Sequence, residues 1–210
     1  MKSGQLRPKR EQAVREILDA ALEVFAESGF EGARVDEIAR RAGVNKAMIY
    51  YRIGDKETLY SEVLHRVFLH VAEQLENSMQ EEDPPEEKLR LYVRTLAGLM
   101  KEHPSFSPII IREIASGGHH LPDEILLDLK RIVTVLSGIL QEGAKRGVFI
   151  EARPTIVHLM IVGPMVMRRR METIAARREE FIKSLRQLDR GMRDPASEIE
   201  ELIIRALRRP

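Results

Sequence analysis

Lys46, Ala47, Tyr50 and Tyr51 recur at a spacing that puts them on one side of a short helix, with Ile49 and Ile53 on the other. A cation at the N-terminal end of a helix, a small residue beneath it and two phenol hydroxyls further along suit a DNA major groove. Asn45 stands where an N-cap belongs, and Met48 completes the first turn. Lys56, behind the cap candidate Asp55, is placed to meet a phosphate together with free backbone N–H groups, and Arg34 offers a second charge for the backbone. This is recognition chemistry, with no bond made or broken.

Other residues invite other chemistry. His103, His119, His120 and His158, with Glu113 or Asp123, raise the question of a metal. The adjacent His119-His120 lack the i, i+4 spacing of helical ligands and sit on a Gly-rich stretch, so a solvated loop is expected there and no metal. There is no Gly-rich phosphate loop, nucleophile elbow or metalloprotease motif, and no cofactor or catalytic residue is expected. Without a cysteine the chain has no disulfide, thiolate site or thiol nucleophile.

The recognition surface needs a frame. A short helix over Val35–Arg41 turns Ile38 and Ala39 inward, Ala42-Gly43-Val44 makes the turn, and the second helix runs over Lys46–Ile53. Gly43 suits the turn because it takes a positive φ without a Cβ clash. A preceding helix over Lys9–Ser28, with Val14, Ile17, Leu18, Ala21, Leu22 and Phe25 in one stripe and Gly29 as its stop, closes a three-helix core.

This stretch resembles the tetracycline-repressor (TetR) family of bacterial regulators. The resemblance rests on Ile17, Ala20, Ala21, Phe25, Gly29, Phe30, Ile38-Ala39, Ala42-Gly43-Val44, Tyr50, Lys56, Glu57 and Leu59, and covers Ile17 to Leu64. It implies an all-helical homodimeric transcription factor, usually a repressor, released from DNA by a small ligand. The chain departs from the family pattern at Ala33-Arg34, where hydroxyl residues are common and where Glu37 is left without a capping-box partner. It departs again at Ala47-Met48, and at Arg52-Ile53, which replaces a usual His-Phe pair. These changes bear on the operator sequence more than on the fold.

Beyond Asp55 a long helix reaches Met79 and carries the link between a DNA-binding domain, residues 1–56, and a ligand-binding and dimerisation domain, residues 57–210. Acid and proline at Glu81–Pro85 break it. Helices resume from Leu89 to Met100, from Phe106 to Ile114 and from Pro122 to Arg146. Pro154 opens a helix that is apolar nearly all round, kinked at Gly163-Pro164, and Arg190–Arg193 breaks the chain before Asp194-Pro195 start the last one. A pocket among these helices takes Tyr92, His103, Phe106, Glu113, His158, Met160 and Met165 as candidate ligand contacts. The resemblance implies that the last two helices pair with a second subunit, with Leu159, Met160, Val162, Met167, Ile199, Leu202, Ile203 and Ala206 as candidate interface.

The charge distribution agrees with this placement. Arg34–Lys56 holds six bases against three acids, and Met1–Arg10 carries four bases and no acid, as either a solvated tail or an arm on the DNA. The arginines from Arg168 to Arg193 alternate with acids and read as a solvated face. No signal peptide or spanning segment is visible, so a soluble cytoplasmic protein is expected. The function expected is a sequence-specific regulator on a near-palindromic duplex, repressing until a small apolar or amphipathic inducer binds. The rivals are a helical ligand-binding module that has lost its DNA contacts, and an enzyme using His103 or His158.

Overall fold

The computed structural model describes residues 6–175, 180, 183, 187 and 194–210. Among these the chain is helical, with a single isolated bridge between Phe149 and Arg208. The helices are α1 (Leu6–Gly32), α2 (Val35–Arg41), α3 (Lys46–Arg52), α4 (Lys56–Ser78), α5 (Pro85–Glu102), α6 (Phe106–Ser116), α7 (Asp123–Lys145), α8 (Pro154–Ala175) and α9 (Pro195–Leu207). The expected break at Arg190–Arg193, most of the arginine-rich stretch and Met1–Gln5 lie outside the described residues.

Packing divides the chain into two units: residues 1–69 with 108–127, and residues 70–107 with 128–210. Residues 108–127, expected with the C-terminal domain, therefore pack with the DNA-binding helices instead. The physical reason lies in side chains such as Tyr60 and Glu113, which find each other across 53 positions of sequence.

In the first unit Ile17, Ala21, Phe25, Ile38, Ile49, Leu59 and Leu64 are fully enclosed, so α1 and the start of α4 grip the α2–α3 pair. At Gly29 the helix kinks with φ 71°, and a Cβ there would stand 3.2 Å from the Arg112 guanidinium. The expected stop is thus a bend, after which α1 continues for one more turn. Asp55 caps α4 by accepting from the backbone N–H and hydroxyl of Thr58 at 2.8 and 2.6 Å.

The second unit is built on α5, α7, α8 and α9, with Leu89, Val93, Ile132, Leu136, Ile161, Ile204 and Leu207 in its core. Pro85 opens α5 and Pro195 opens α9, positions where the missing N–H costs nothing. Asp194 caps α9 by accepting from the N–H of Ala196. Three ion pairs tie elements of the unit together: Lys88 to Glu142 at 2.8 Å, and Glu200 to both Arg90 and Arg94. Pro164 lies inside α8, which remains one helix. None of the helices among the described residues is long and apolar enough to cross a membrane.

Candidate nucleic-acid interface

The α2–α3 turn follows from its residues. Gly43 takes φ 65°, the N–H of Val44 bonds the Ala39 carbonyl at 3.0 Å, and Asn45 caps α3 by accepting from the Met48 N–H at 2.9 Å. Arg34 precedes α2 without capping it, which leaves its side chain free for solvent or phosphate. Ile49 anchors α3 in the core while Tyr50 and Tyr51 stand out, Tyr51 with 83% of its surface exposed. Lys46 and Ala47 are exposed beside them and Met48 is half-buried. Ile53, expected in the core, is half-buried at the non-helical end of α3.

The electrostatics differ from a simple count of bases. Arg40 and Arg41 both bond Glu37, and Arg41 also reaches Glu27 at 2.6 Å. These hydrogen bonds, from Arg40 first and then Arg41, hold the Glu37 carboxyl at about 2. Lys46 pairs with Asp36 at 3.0 Å. An exposed pair of this kind exchanges its partner for a phosphate at little cost. Arg34 has no ion-pair partner among the described residues.

Lys56 is held from behind: its ammonium donates to the Glu31 carbonyl at 3.2 Å and lies 4.6 Å from the centre of the Phe30 ring. Arg52 has a buried Nε and Nη1 without a hydrogen-bond partner. Such orphaned donors are costly and call for an acceptor. The sequence signal for it was Arg52 standing in place of a usual histidine.

The candidate ligand residues separate. Tyr92 and His158 are buried and joined by a hydrogen bond between the phenol oxygen and Nδ1 at 2.7 Å. Burial lowers the His158 value and raises that of Tyr92. Met165 lines a cavity of about 470 Å³ with Ala97, Met100, Lys101, Arg168 and Ile199. Met160 is exposed, Phe106 is buried, and His103 ends α5. Glu113 lies in the first unit, where it accepts from Tyr60. No group of three His, Asp or Glu side chains among the described residues is arranged to hold a metal.

The candidate interface residues separate as well. Leu159 and Leu202 are 62% and 59% exposed, Met160, Met167 and Ala206 are exposed too, and Val162 and Ile199 are half-buried. Ile203 is buried within its own chain.

Residues 17–63 match the family model for bacterial regulatory proteins of the tetR family, and residues 82–170 match the model for a tetracyclin repressor-like C-terminal domain. The HTH-type transcriptional regulator RutR of Escherichia coli K12 is 31% identical over 157 residues, 73% of this chain and 74% of the relative. The crystal structure of HlyIIR, a hemolysin II transcriptional regulator, superposes with a TM-score of 0.65 at 28% identity, covering 96% of this chain and 99% of the other. FadR from Bacillus subtilis shares the fold at a TM-score of 0.68 and 24% identity, over 90% and 97% of the two chains. With its helix-turn-helix, its helical C-terminal unit and these likenesses, the chain belongs to the TetR family of DNA-binding transcriptional regulators.

Proposed function

We propose that the protein is a homodimeric repressor that reads a near-palindromic duplex through α3 and leaves it when a small amphipathic molecule enters the second unit. The observation that carries the reading is the two-sided α3: Ile49 wholly enclosed, and Lys46, Ala47, Tyr50 and Tyr51 turned outward. Lys46 and Lys56 meet phosphates, Tyr50 and Tyr51 meet base edges or backbone, and Arg34 and Arg52 add backbone charge. Asn45 acts by fixing the start of α3, and Ala47 and Met48 by leaving room for the groove.

One short helix reads few base pairs, so two copies about 34 Å apart are required. The exposed stripe of Ile156, Leu159, Met160 and Met167 on α8, with Leu202 and Ala206 on α9, supplies an apolar face of the kind that pairs. The 470 Å³ cavity has ligand dimensions, with flexible methionine walls and two cations at hand. FadR was solved with stearoyl-CoA, an amphiphile, which supports that ligand class here. Binding shifts the population toward a packing in which the two recognition helices no longer match one DNA turn.

The test is selection of bound DNA from a random duplex pool, followed by a salt titration of the selected sequence. A near-palindrome with a steep salt slope is expected, and Tyr50→Ala and Lys46→Ala should abolish its binding while the dimer survives. Recovery of no sequence, beside tight binding of an amphiphile, would replace the reading with that of a ligand-binding module.

A further inference from the structure

His120, on the loop after α6, has the sequence context of a solvated residue and the surroundings of a packed one. Its ring stacks on Phe30 at 4.4 Å between centres, and its Nε2–H donates to the Glu31 carboxylate at 3.0 Å. Its backbone N–H donates to Glu113 Oε2 at 3.3 Å, and its Nδ1 lies 3.8 Å from Glu113 Oε1. Glu113 is 3% exposed and takes the Tyr60 hydroxyl at 2.6 Å. Tyr60 in turn meets Phe30 edge to face at 5.1 Å. Arg112 donates to the Glu27 carbonyl at 2.9 Å, just before the kink at Gly29. The last turn of α1 is thus gripped from one side by α6 and its loop.

The same two residues that His120 touches, Phe30 and Glu31, are the two that hold Lys56. The Lys56 ammonium has one of its three donors on the Glu31 carbonyl and one face against the Phe30 ring, with the others left for a phosphate. A flexible lysine loses affinity to the entropy of being held, so a seat built in advance strengthens the contact. We infer that His120 is a positioning residue for DNA binding: by fixing Phe30 and Glu31 it fixes Lys56, and loss of its grip weakens the phosphate contact without touching DNA. The chain on both sides of residues 108–127 belongs to the second unit. The inference rests on the reading of Lys56 as a phosphate contact.

The experiment measures affinity and salt slope on the duplex selected by the full-length protein, for Lys56→Ala, His120→Ala, His120→Gln and the double variant Lys56→Ala/His120→Ala. Lys56→Ala should weaken binding about tenfold and lower the salt slope by about one. His120→Ala should reproduce part of both losses, roughly threefold in affinity, and the double variant should bind no worse than Lys56→Ala alone. His120→Gln, whose amide N–H still reaches Glu31, should recover part of the loss. Unchanged binding and slope in His120→Ala, or a penalty that adds in full to that of Lys56→Ala, would overturn the inference. An unaffected Lys56→Ala overturns it by removing its premise, a result distinct from an additive penalty. Should His120→Ala lower the melting temperature, Glu31→Gln decides instead: its carboxylate is largely exposed, and the same non-additive loss is expected.

Discussion

Two buried carboxylates, one in each unit, are held by opposite means. Glu200 in the second unit is 7% exposed and accepts from two guanidiniums: Arg90 at 2.8 Å, and Arg94 at 2.8 and 3.0 Å. Burial works to raise its value, but the hydrogen bonds from Arg94 and Arg90 together prevail and the net shift is downward. Glu113 in the first unit is buried as deeply, yet its close donors are a phenol and a backbone N–H. A carboxylate clamped by two permanent cations has few alternatives. One held by neutral donors has no cation beside it to fix its position by charge, and so changes partners at lower cost. The first arrangement suits a fixed frame and the second a joint.

The largest expected effect tests the frame. Glu200→Ala leaves Arg90 and Arg94 without their shared acceptor and should cost about 3 kcal/mol in denaturant unfolding, near the lower end for a broken buried pair because Arg94 is half in solvent. A loss below about 1 kcal/mol would put Glu200 in the same class as Glu113 and remove the contrast. Next comes Glu113→Gln, which keeps an acceptor for Tyr60 but turns an amide toward the His120 N–H. About 1–2 kcal/mol of stability should be lost, with a weaker response of operator binding to inducer. A variant as inducible as the native protein would argue that the joint does not transmit.

The smallest effect is a matter of pH and concerns Tyr92 and His158, a pairing neutral on both sides. Burial holds the folded-state value of His158 below the ordinary 6.5, so as pH falls the unfolded chain takes up the proton first. Its contribution is complete above about pH 6.5 and is lost as pH falls toward the folded value. Glu200, also lowered, contributes above its ordinary 4.5 and loses that contribution only in stronger acid. Denaturation midpoints measured from pH 7 to pH 5 should therefore decline in the native protein and stay flatter in His158→Gln. Equal slopes would assign the decline to other groups.

Local patterns carried the fold, and long-range pairings hid the site's supports. Asn45 three residues before Met48, Gly43 in its turn, and Pro195 behind Asp194 are readable because cap and turn chemistry acts within a few positions. Ile49 against Tyr50 and Tyr51 was readable from helical period alone. Lys46 meeting Asp36 and Arg41 meeting Glu27, by contrast, depend on how helices cross. His120 looked like a loop residue because nothing near it in sequence announces Phe30 and Glu31, some 90 positions earlier. The bond of Glu113 to Tyr60, 53 positions earlier, was hidden for the same reason. In α8, where apolar residues run all round, period says nothing about which ones face solvent, and Leu159 and Ile161 were told apart only by packing.

The first unit is assembled from two separated pieces of chain, residues 1–69 and 108–127. During synthesis its three-helix core and the start of α4 can close as soon as the first piece leaves the ribosome, since their contacts are short in sequence. The bonds of Tyr60 to Glu113, of Arg112 to Glu27 and of His120 to Glu31, separated by 53, 85 and 89 positions, must wait for the second. A nascent chain of about a hundred residues therefore carries the recognition helix and the Phe30–Glu31 seat of Lys56, but not yet the His120 that packs on that seat. That packing is completed only when translation has passed the loop that follows α6.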